Sequence, residues 1–215
     1  MIEKKRSSVL LKMAIGLAAI VALGYLFIHS LETTRSEPYT VERAHVGKWT
    51  LVLETAGGPN APLLSVQTDL ALVTNLFRQL FNRSMESMST PTTASIPIVL
   101  RGEFDRGLAG RMAPAALLAA GREAGLETAS HEPRCLAHRR ISEPAMTRQT
   151  YFAIVESPAI VRFREQLART AASAVDPAAL TPIMFVGASD AAFQRWLPIR
   201  AGEGDCVAPI RIVAP

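Results

Sequence analysis

The stretch PIVLRG at residues 97–102 and its counterpart PIMFVG at 182–187 decide the fold. Both are short apolar runs between a proline and a glycine, a pattern typical of a buried strand followed by a turn. Two further strings, FRQL at 77–80 and FREQL at 163–167, have nearly the same separation, 86 residues against 85. Because repeats are recognised by order and spacing together, we predict an internal duplication of about 85 residues. The alternative is chance reuse of proline, glycine and aspartate in turns and caps.

The patterns around these strings predict the same order of elements twice. In the first half we predict a strand or extended segment at 39–46, strands at 49–54, 63–67 and 96–100, and helices from Asp69 to Met88, at 105–108 and at 114–124. In the second half we predict strands at 134–140, 149–155, 183–186 and 206–213, and helices at 158–172 and from Ser189 or Asp190 to Trp196. The expected fold class is therefore α+β, with pseudo-repeats of strand–strand–helix–strand–helix at 39–125 and 126–215.

The N-terminal segment predicts a membrane anchor. Residues 1–8 form a basic tail, residues 9–29 are largely apolar, and residues 30–38 form a polar linker. The apolar run matches the about 20 residues needed to cross a bilayer, and the positive-inside rule keeps the tail in the cytoplasm. We therefore expect a single-pass protein of the bacterial inner membrane with a periplasmic domain. A cleaved signal peptide is the alternative, although the apolar run is long for one and no small-residue cleavage site follows it.

Small residues recur at helical spacing within the expected anchor. Ala14, Ala18 and Ala22 repeat every fourth residue, and Gly16 and Gly24 add further smooth surface. Because small side chains allow another transmembrane helix to approach closely, we predict that this face packs in the membrane. The alternative is that alanine and glycine are simply frequent in such helices.

Charge and cysteine content limit the partners of the remaining domain. The chain has a net charge of +4, and residues 1–29, with four basic residues and one acidic residue, contribute +3 of it. The rest is close to neutral and lacks the strongly basic character of a nucleic-acid-binding domain. Cys135 and Cys206 are candidates for a disulfide outside the cytoplasm, but their spacing leaves open whether they meet.

The sequence contains few motifs that indicate chemistry. It has no phosphate-binding glycine loop, no dinucleotide-binding turn and no paired-cysteine motif, and Ser189 lacks the glycine at 191 that a nucleophile elbow requires. His131 and His138 flank Cys135, but their spacing matches no zinc pattern, and strand alternation places Cys135 and His138 on opposite faces. We therefore expect no catalytic residue, no metal and no cofactor.

Arginines concentrate in the second half. They lie around the two predicted strands of a hairpin (Arg134, Arg139, Arg140 and Arg148) and on the helix at 158–172 (Arg162, Arg164 and Arg169). An arginine-rich face can bind carboxylates of a partner. A solvated surface with interspersed glutamates is the simpler interpretation.

Three strings resemble a group of uncharacterised, single-pass exported proteins of environmental bacteria. They are TRQTYF at 147–152, FREQL at 163–167 and GDCVAPI at 204–210. The resemblance spans most of the domain that follows the linker. It implies no particular activity, cofactor or site residue.

These observations favour a non-catalytic accessory subunit of a bacterial membrane complex. Its anchor would pack among other membrane subunits in the lipid bilayer, and its exported domain would brace neighbouring subunits. A photosynthetic reaction-centre and light-harvesting assembly is the most specific form of this expectation. One alternative is a tethered ligand-binding or sensing domain with its site between the pseudo-repeats. Another is a tethered enzyme with convergent polar groups such as Arg134, His138 and Glu143.

Overall fold

The computed structural model of the protein describes residue 13 and residues 15–29, 37–144, 146–171 and 175–214. The chain divides into two compact units, Met1–Glu37 and Pro38–Pro215. In the first unit, residues 15–29 are helical and their side chains are exposed. The second unit contains two β-sheets together with α-helices, so the fold class is α+β, as predicted.

The expectation of a transmembrane anchor over residues 9–29 is wrong. Within the described ranges, no helix is both long enough and apolar enough to cross a membrane. The single-pass topology and the inner-membrane localisation that were inferred from this anchor are corrected with it. The tail at 1–8 and the linker residues 30–36 lie outside the described residues.

The second unit alternates strands and helices. Its order is β1 (Tyr39–Glu42), β2 (Thr50–Leu53), β3 (Pro62–Thr68), α1 (Leu70–Ser84), β4 (Ala94–Leu100), α2 (Arg101–Gly107), α3 (Pro114–Glu123), β5 (Glu132–Glu143), β6 (Met146–Glu156), α4 (Pro158–Thr170), β7 (Ile183–Ala188) and β8 (Cys206–Val213). Short 3-10 helices lie at Arg43–His45, Phe193–Trp196 and Glu203–Asp205. Local signals start the two longest helices, since Asp69 caps α1 and Ser157 caps α4 through side-chain oxygens.

The strands form two sheets whose central parts have the same arrangement. The small sheet is antiparallel, in the order β2-β3-β4. The large sheet has the order β1-β8-β5-β6-β7. Its strands β5, β6 and β7 have the same arrangement as the small sheet, because in each case two strands form a hairpin and the second of them pairs with the strand that follows the next helix. β8 pairs with β5, and β1 pairs with β8 in parallel, so both ends of the unit meet at one edge. The two halves therefore have one topology, whereas their origin by duplication stays a prediction.

Alternation along the large sheet separates two hydrophobic clusters. In β7, Met184 and Val186 lie in the main core, whereas Ile183 and Phe185 lie in a second cluster, because successive side chains of a strand point to opposite faces. The main core contains residues of both sheets and the buried faces of α1 and α4. The second cluster packs the segment 180–199 against the large sheet. The two halves therefore fold around one common core.

A buried ion pair joins the two halves. Arg164 of α4 contacts Glu103 of α2 through Nη2–Oε1 at 2.8 Å and Nη1–Oε2 at 3.1 Å, and the Arg164 side chain is 1% exposed. Its guanidinium also donates to the main-chain carbonyls of Ile98, Asp176 and Pro177 at 2.6, 2.7 and 3.3 Å. All five guanidinium N–H groups thus have an acceptor, which compensates for the removal of the charge from water.

The structure differs from the sequence prediction at helix ends. α1 ends at Ser84, because Met85 adopts a left-handed conformation with φ of 52°. The helix expected after β7 is reduced to the 3-10 helix Phe193–Trp196. Before it, the Asp190 carboxylate accepts a hydrogen bond from the N–H of Ala192 at 2.9 Å and closes a turn instead of starting an α-helix. This irregular segment forms one wall of the cleft described below.

Candidate ligand-binding cleft

The polar face of the small sheet forms the floor of a cleft. Apolar residues of its strands, such as Val66 and Ile96, lie in the main core. The opposite face carries Gln67 on β3, its cross-strand partner Ser95 on β4, and Glu54 directly after β2. In antiparallel sheets such a polar face ordinarily meets solvent. Here the second half of the chain partly covers it.

The covering wall is largely apolar. Phe185 of β7 and the segment 191–197 lie over the floor, and together with it they border an open cleft of about 550 Å³. The rings of Phe185 and Phe193 have centroids 5.5 Å apart and are inclined at 45°, and Leu197 extends the wall. A loop at 90–93 with three threonines forms the rim. The volume falls in the range of about 300–1,000 Å³ that is typical of small-molecule sites.

Hydrogen bonds fix the walls of the cleft. At the start of the covering segment, Asp190 accepts from Nη1 of Arg148 at 2.9 Å. After its end, the main-chain N–H of Thr181 donates to the carbonyl of Ile199 at 2.8 Å. The segment before the rim loop pairs with the end of β7 through two main-chain hydrogen bonds of 2.8 and 2.9 Å. The cleft is therefore part of the folded structure and not a gap between loosely placed loops.

Glu54 is the only ionisable side chain among the described residues that line the cleft. Its main chain is fixed, because its N–H donates to the carbonyl of Leu63 and its own carbonyl accepts from Nη2 of Arg101, both at 2.8 Å. Its carboxylate accepts one long hydrogen bond, 3.4 Å from the Ser65 hydroxyl. In the part of the chain that the structure describes, no basic group lies within 4.0 Å of this carboxylate. Within 4.0 Å, the described residues therefore supply no counter-ion for the Glu54 carboxylate.

A serine–histidine pair lies in the interior and serves the fold. Nε2 of His131 donates to the carbonyl of Leu126 at 2.7 Å, so Nδ1 of the neutral ring accepts from the Ser157 hydroxyl at 2.7 Å. The ring packs edge-on against Trp49, with centroids 4.9 Å apart. Burial lowers the pKa of His131 below its ordinary 6.5, and the hydrogen bond to Leu126 offsets part of this effect. Both side chains are buried and Ser157 caps α4, so we assign the pair a structural role.

The two cysteines are joined in the structure. Cys135 of β5 and Cys206 of β8 form a disulfide, with Cα atoms 5.7 Å apart. As a disulfide, Cys135 is not available as a thiolate ligand beside His131 and His138. Within the described ranges, no group of three or more His, Cys, Asp or Glu side chains is placed to hold a metal ion.

The structure describes four of the five small residues that were singled out in the N-terminal segment. Gly16, Ala18, Ala22 and Gly24 lie on the helix at 15–29, and Ala14 lies outside the described residues. The packing predicted for this face stays a prediction.

The three polar residues of the alternative enzyme site are distributed along one strand and do not converge. Arg134, His138 and Glu143 all lie on β5, and the separation of nine positions between the first and the last corresponds to about 30 Å. Arg134 forms an ion pair with Glu156 of the neighbouring strand, and His138 stacks on Tyr151 with ring centroids 4.4 Å apart. These three side chains therefore do not form one pocket.

The arginines of the second half occupy different environments. Arg148 forms an ion pair with Asp190 at 2.9 Å and supports the cleft wall. On α4, Arg162 and Arg169 are exposed, whereas Arg164 is buried. The interpretation of these helix arginines as one solvated or docking face is therefore wrong for Arg164.

Sequence reasoning missed the cleft although one signal was available. Strand alternation places Glu54, Gln67 and Ser95 on the same polar face of the small sheet. Such a pattern predicts contact with solvent, and no local feature of the sequence indicates that the segment 191–197 covers this face.

Comparisons of the chain with protein-family models, with curated proteins and with solved structures found no match. The function is therefore argued from the cleft and its chemistry.

Proposed function

We propose that the Pro38–Pro215 unit is a non-catalytic ligand-binding module whose site is the cleft between the small sheet and the segment 191–197. The observation that carries this proposal is a cavity of about 550 Å³ where the two halves meet, with a polar floor and an apolar wall. In small-molecule sites apolar walls supply contact area and a few polar groups fix orientation. The position also agrees with a ligand site between the two pseudo-repeats, one of the alternatives that the sequence left open.

The composition of the lining favours binding over reaction. Acid–base catalysis needs a titratable group at hydrogen-bond distance from the reacting atom, and a nucleophilic hydroxyl needs an adjacent base. Among the described lining residues Glu54 is the one titratable group, and no histidine accompanies the threonines of the rim. Such a lining can hold and orient a ligand but offers no pair of reacting groups.

Filling the cleft tests the proposal. Ala192 lines the wall, so Ala192→Trp introduces a large ring into the cavity. NMR titration of the full chain with neutral, cationic and anionic fragments should shift the amide signals of Gln67, Ser95 and Phe193 for at least one class of fragment. Ala192→Trp should abolish these shifts.

Ala116→Trp is the matched control, because this alanine is exposed on α3 and does not line the cleft. The control should retain the fragment-induced shifts, and circular dichroism should show that both variants are folded. If no class of fragment shifts the cleft amides of the unmodified chain, the proposed function is wrong.

A second candidate function is the bracing of a partner protein, which the β5–β6 hairpin favours. Among the described residues, β8 pairs with β5 over 135–137 and β7 pairs with β6 over 150–154, so residues 138–144 and 146–148 extend beyond these pairings. On this arm Ile141 is 45% exposed and Met146 is 53% exposed, as expected of a contact surface. The double variant Ile141→Ser/Met146→Ser should release the chain from a larger native complex in native gel electrophoresis. Migration of the unmodified chain as a single chain would contradict this role.

A further inference from the structure

We infer that the cleft binds a small organic cation, an amine with an apolar substituent, with the ammonium at Glu54. This inference rests on the proposed binding function and specifies its ligand class. It starts from the Glu54 carboxylate, which has no counter-ion within 4.0 Å in the described part of the chain. The remaining lining is neutral among the residues that the structure describes.

The charge of Glu54 selects against anions. A carboxylate that is partly removed from water is stabilised by a positive partner and repels a negative one, and the effect grows as the local dielectric constant falls. Phosphate and carboxylate ligands are usually held by arginine, lysine or helix N-termini. No arginine or lysine lines the cleft in the described ranges. The guanidinium of Arg101 donates to the main-chain carbonyl of Glu54, but it is not among the lining residues and forms no ion pair with the Glu54 carboxylate within 4.0 Å.

The floor supplies acceptors for an ammonium group. An alkylammonium has three N–H donors and no acceptor. The Glu54 carboxylate can accept from such a group. The side-chain carbonyl of Gln67 and the hydroxyl of Ser95 also accept hydrogen bonds, and they lie on the same face of the small sheet. Glu54 lies opposite Leu63, four residues before Gln67 on β3, which corresponds to about 13 Å along the strand. The ammonium is therefore expected at Glu54, and Gln67 and Ser95 are available to another polar group of the ligand.

The wall accounts for the apolar substituent. Phe185 and Phe193 both line the cleft, and aromatic rings attract cations through the negative potential of their faces. Leu197 adds aliphatic surface to the wall, and Pro97 of β4 adds aliphatic surface to the floor. A ligand with an ammonium at one end and an apolar body at the other therefore matches both sides of the cleft. A fully hydrated inorganic cation would leave the apolar wall unused.

Benzylamine and benzyl alcohol test the inference as a matched pair. They have the same size and the same ring, but only benzylamine is positively charged at neutral pH. In NMR titrations of the full chain, benzylamine should bind at the Gln67, Ser95 and Phe193 amides about tenfold more tightly than benzyl alcohol, a difference of about 1.4 kcal/mol, because hydrogen bonds between charged groups are stronger than those between neutral groups. Glu54→Gln keeps the shape of the side chain and should remove this preference. Glu123→Gln, on the exposed end of α3, should leave it unchanged.

The outcomes separate the ligand class from the function. Three results would show that the ligand is not a cation: equal binding of the two probes, an unchanged preference in Glu54→Gln, or binding of neutral or anionic fragments alone. None of these results would contradict the proposed binding function. If neither probe nor any other fragment class shifts the cleft amides, the proposed function fails and the inference fails with it. Tighter binding of benzylamine that is lost in Glu54→Gln and kept in Glu123→Gln supports both.

Discussion

Glu103 and Glu54 belong to the same half of the chain and have opposite surroundings. The Glu103 side chain is 9% exposed, faces the guanidinium of Arg164, and accepts from the N–H of Leu100 at 2.9 Å. Glu54 lines an open cleft and accepts one long hydrogen bond, from Ser65. Glu103 is occupied by the fold, whereas Glu54 keeps acceptor capacity for another molecule. The structural carboxylate of Glu103 thus has its hydrogen-bond partners within the protein, whereas the candidate binding carboxylate of Glu54 has acceptor sites left for a ligand.

The largest expected effect comes from breaking the saturated pair. Arg164→Met leaves Glu103 buried without its cation, so the free energy of unfolding should fall by about 3–5 kcal/mol. Urea titration followed by circular dichroism measures this loss. The control is Arg162→Met on the same helix, which is exposed and should change the free energy by less than about 0.5 kcal/mol.

A double variant sharpens the interpretation of this loss. Arg164→Met/Glu103→Leu removes both charges and should recover part of the stability, because no uncompensated charge then stays buried. The recovery should be incomplete, since the carbonyls of Ile98, Asp176 and Pro177 lose their donor. If the double variant is as unstable as Arg164→Met, the loss of stability arises mainly from the lost hydrogen bonds and not from the unpaired Glu103 carboxylate.

A smaller, pH-dependent effect is expected from His131, a second saturated group. Its pKa is lowered in the folded state by burial, so the unfolded chain takes up the proton first as the pH falls. The stabilisation is therefore complete above about pH 6.5 and is lost progressively below it. Urea titrations at several pH values on either side of 6.5 should show this decline, and His131→Gln should reduce it. An equally steep decline in His131→Gln would exclude His131 as its source.

The smallest effect on stability is expected at Glu54. Glu54→Gln removes no ion pair in the described part of the chain and only one long hydrogen bond, so the free energy of unfolding should change by less than about 0.5 kcal/mol. The same urea titration measures it. A loss comparable to that of Arg164→Met would make Glu54 a structural residue and would remove the contrast with Glu103.

Much of the fold followed from short-range patterns in the sequence. Alternation in the two hairpins, the caps at Asp69 and Ser157, and the proline in the first turn of α4 placed the main strands and helices of the Pro38–Pro215 unit close to their observed bounds. The N-terminal segment was misjudged, because the length of its apolar run predicted a membrane span that no described helix provides.

The candidate site depended on contacts that no local pattern contains. The strings FRQL and FREQL place Arg78 and Arg164 at corresponding positions of α1 and α4, yet Arg78 is exposed and Arg164 is buried. The difference arises because Glu103, 61 residues away along the chain, lies beside α4 and has no counterpart beside Arg78 among the described ion pairs. The residue type is the same, but the two arginines are placed differently on their helices: Arg164 lies on the buried face of α4, whereas Arg78 lies off the buried face of α1.

Short-range signals in the sequence predicted most strands and helices of the Pro38–Pro215 unit, because caps, turns and alternation act over a few residues. Only the tertiary structure decided that Glu103 is saturated and Glu54 is open. It also decided that the segment 191–197 covers the polar face of the small sheet and that Cys135 meets Cys206, 71 residues away. These features depend on which distant residues the common core brings together, and the free energy that selects that packing is distributed over both halves of the chain.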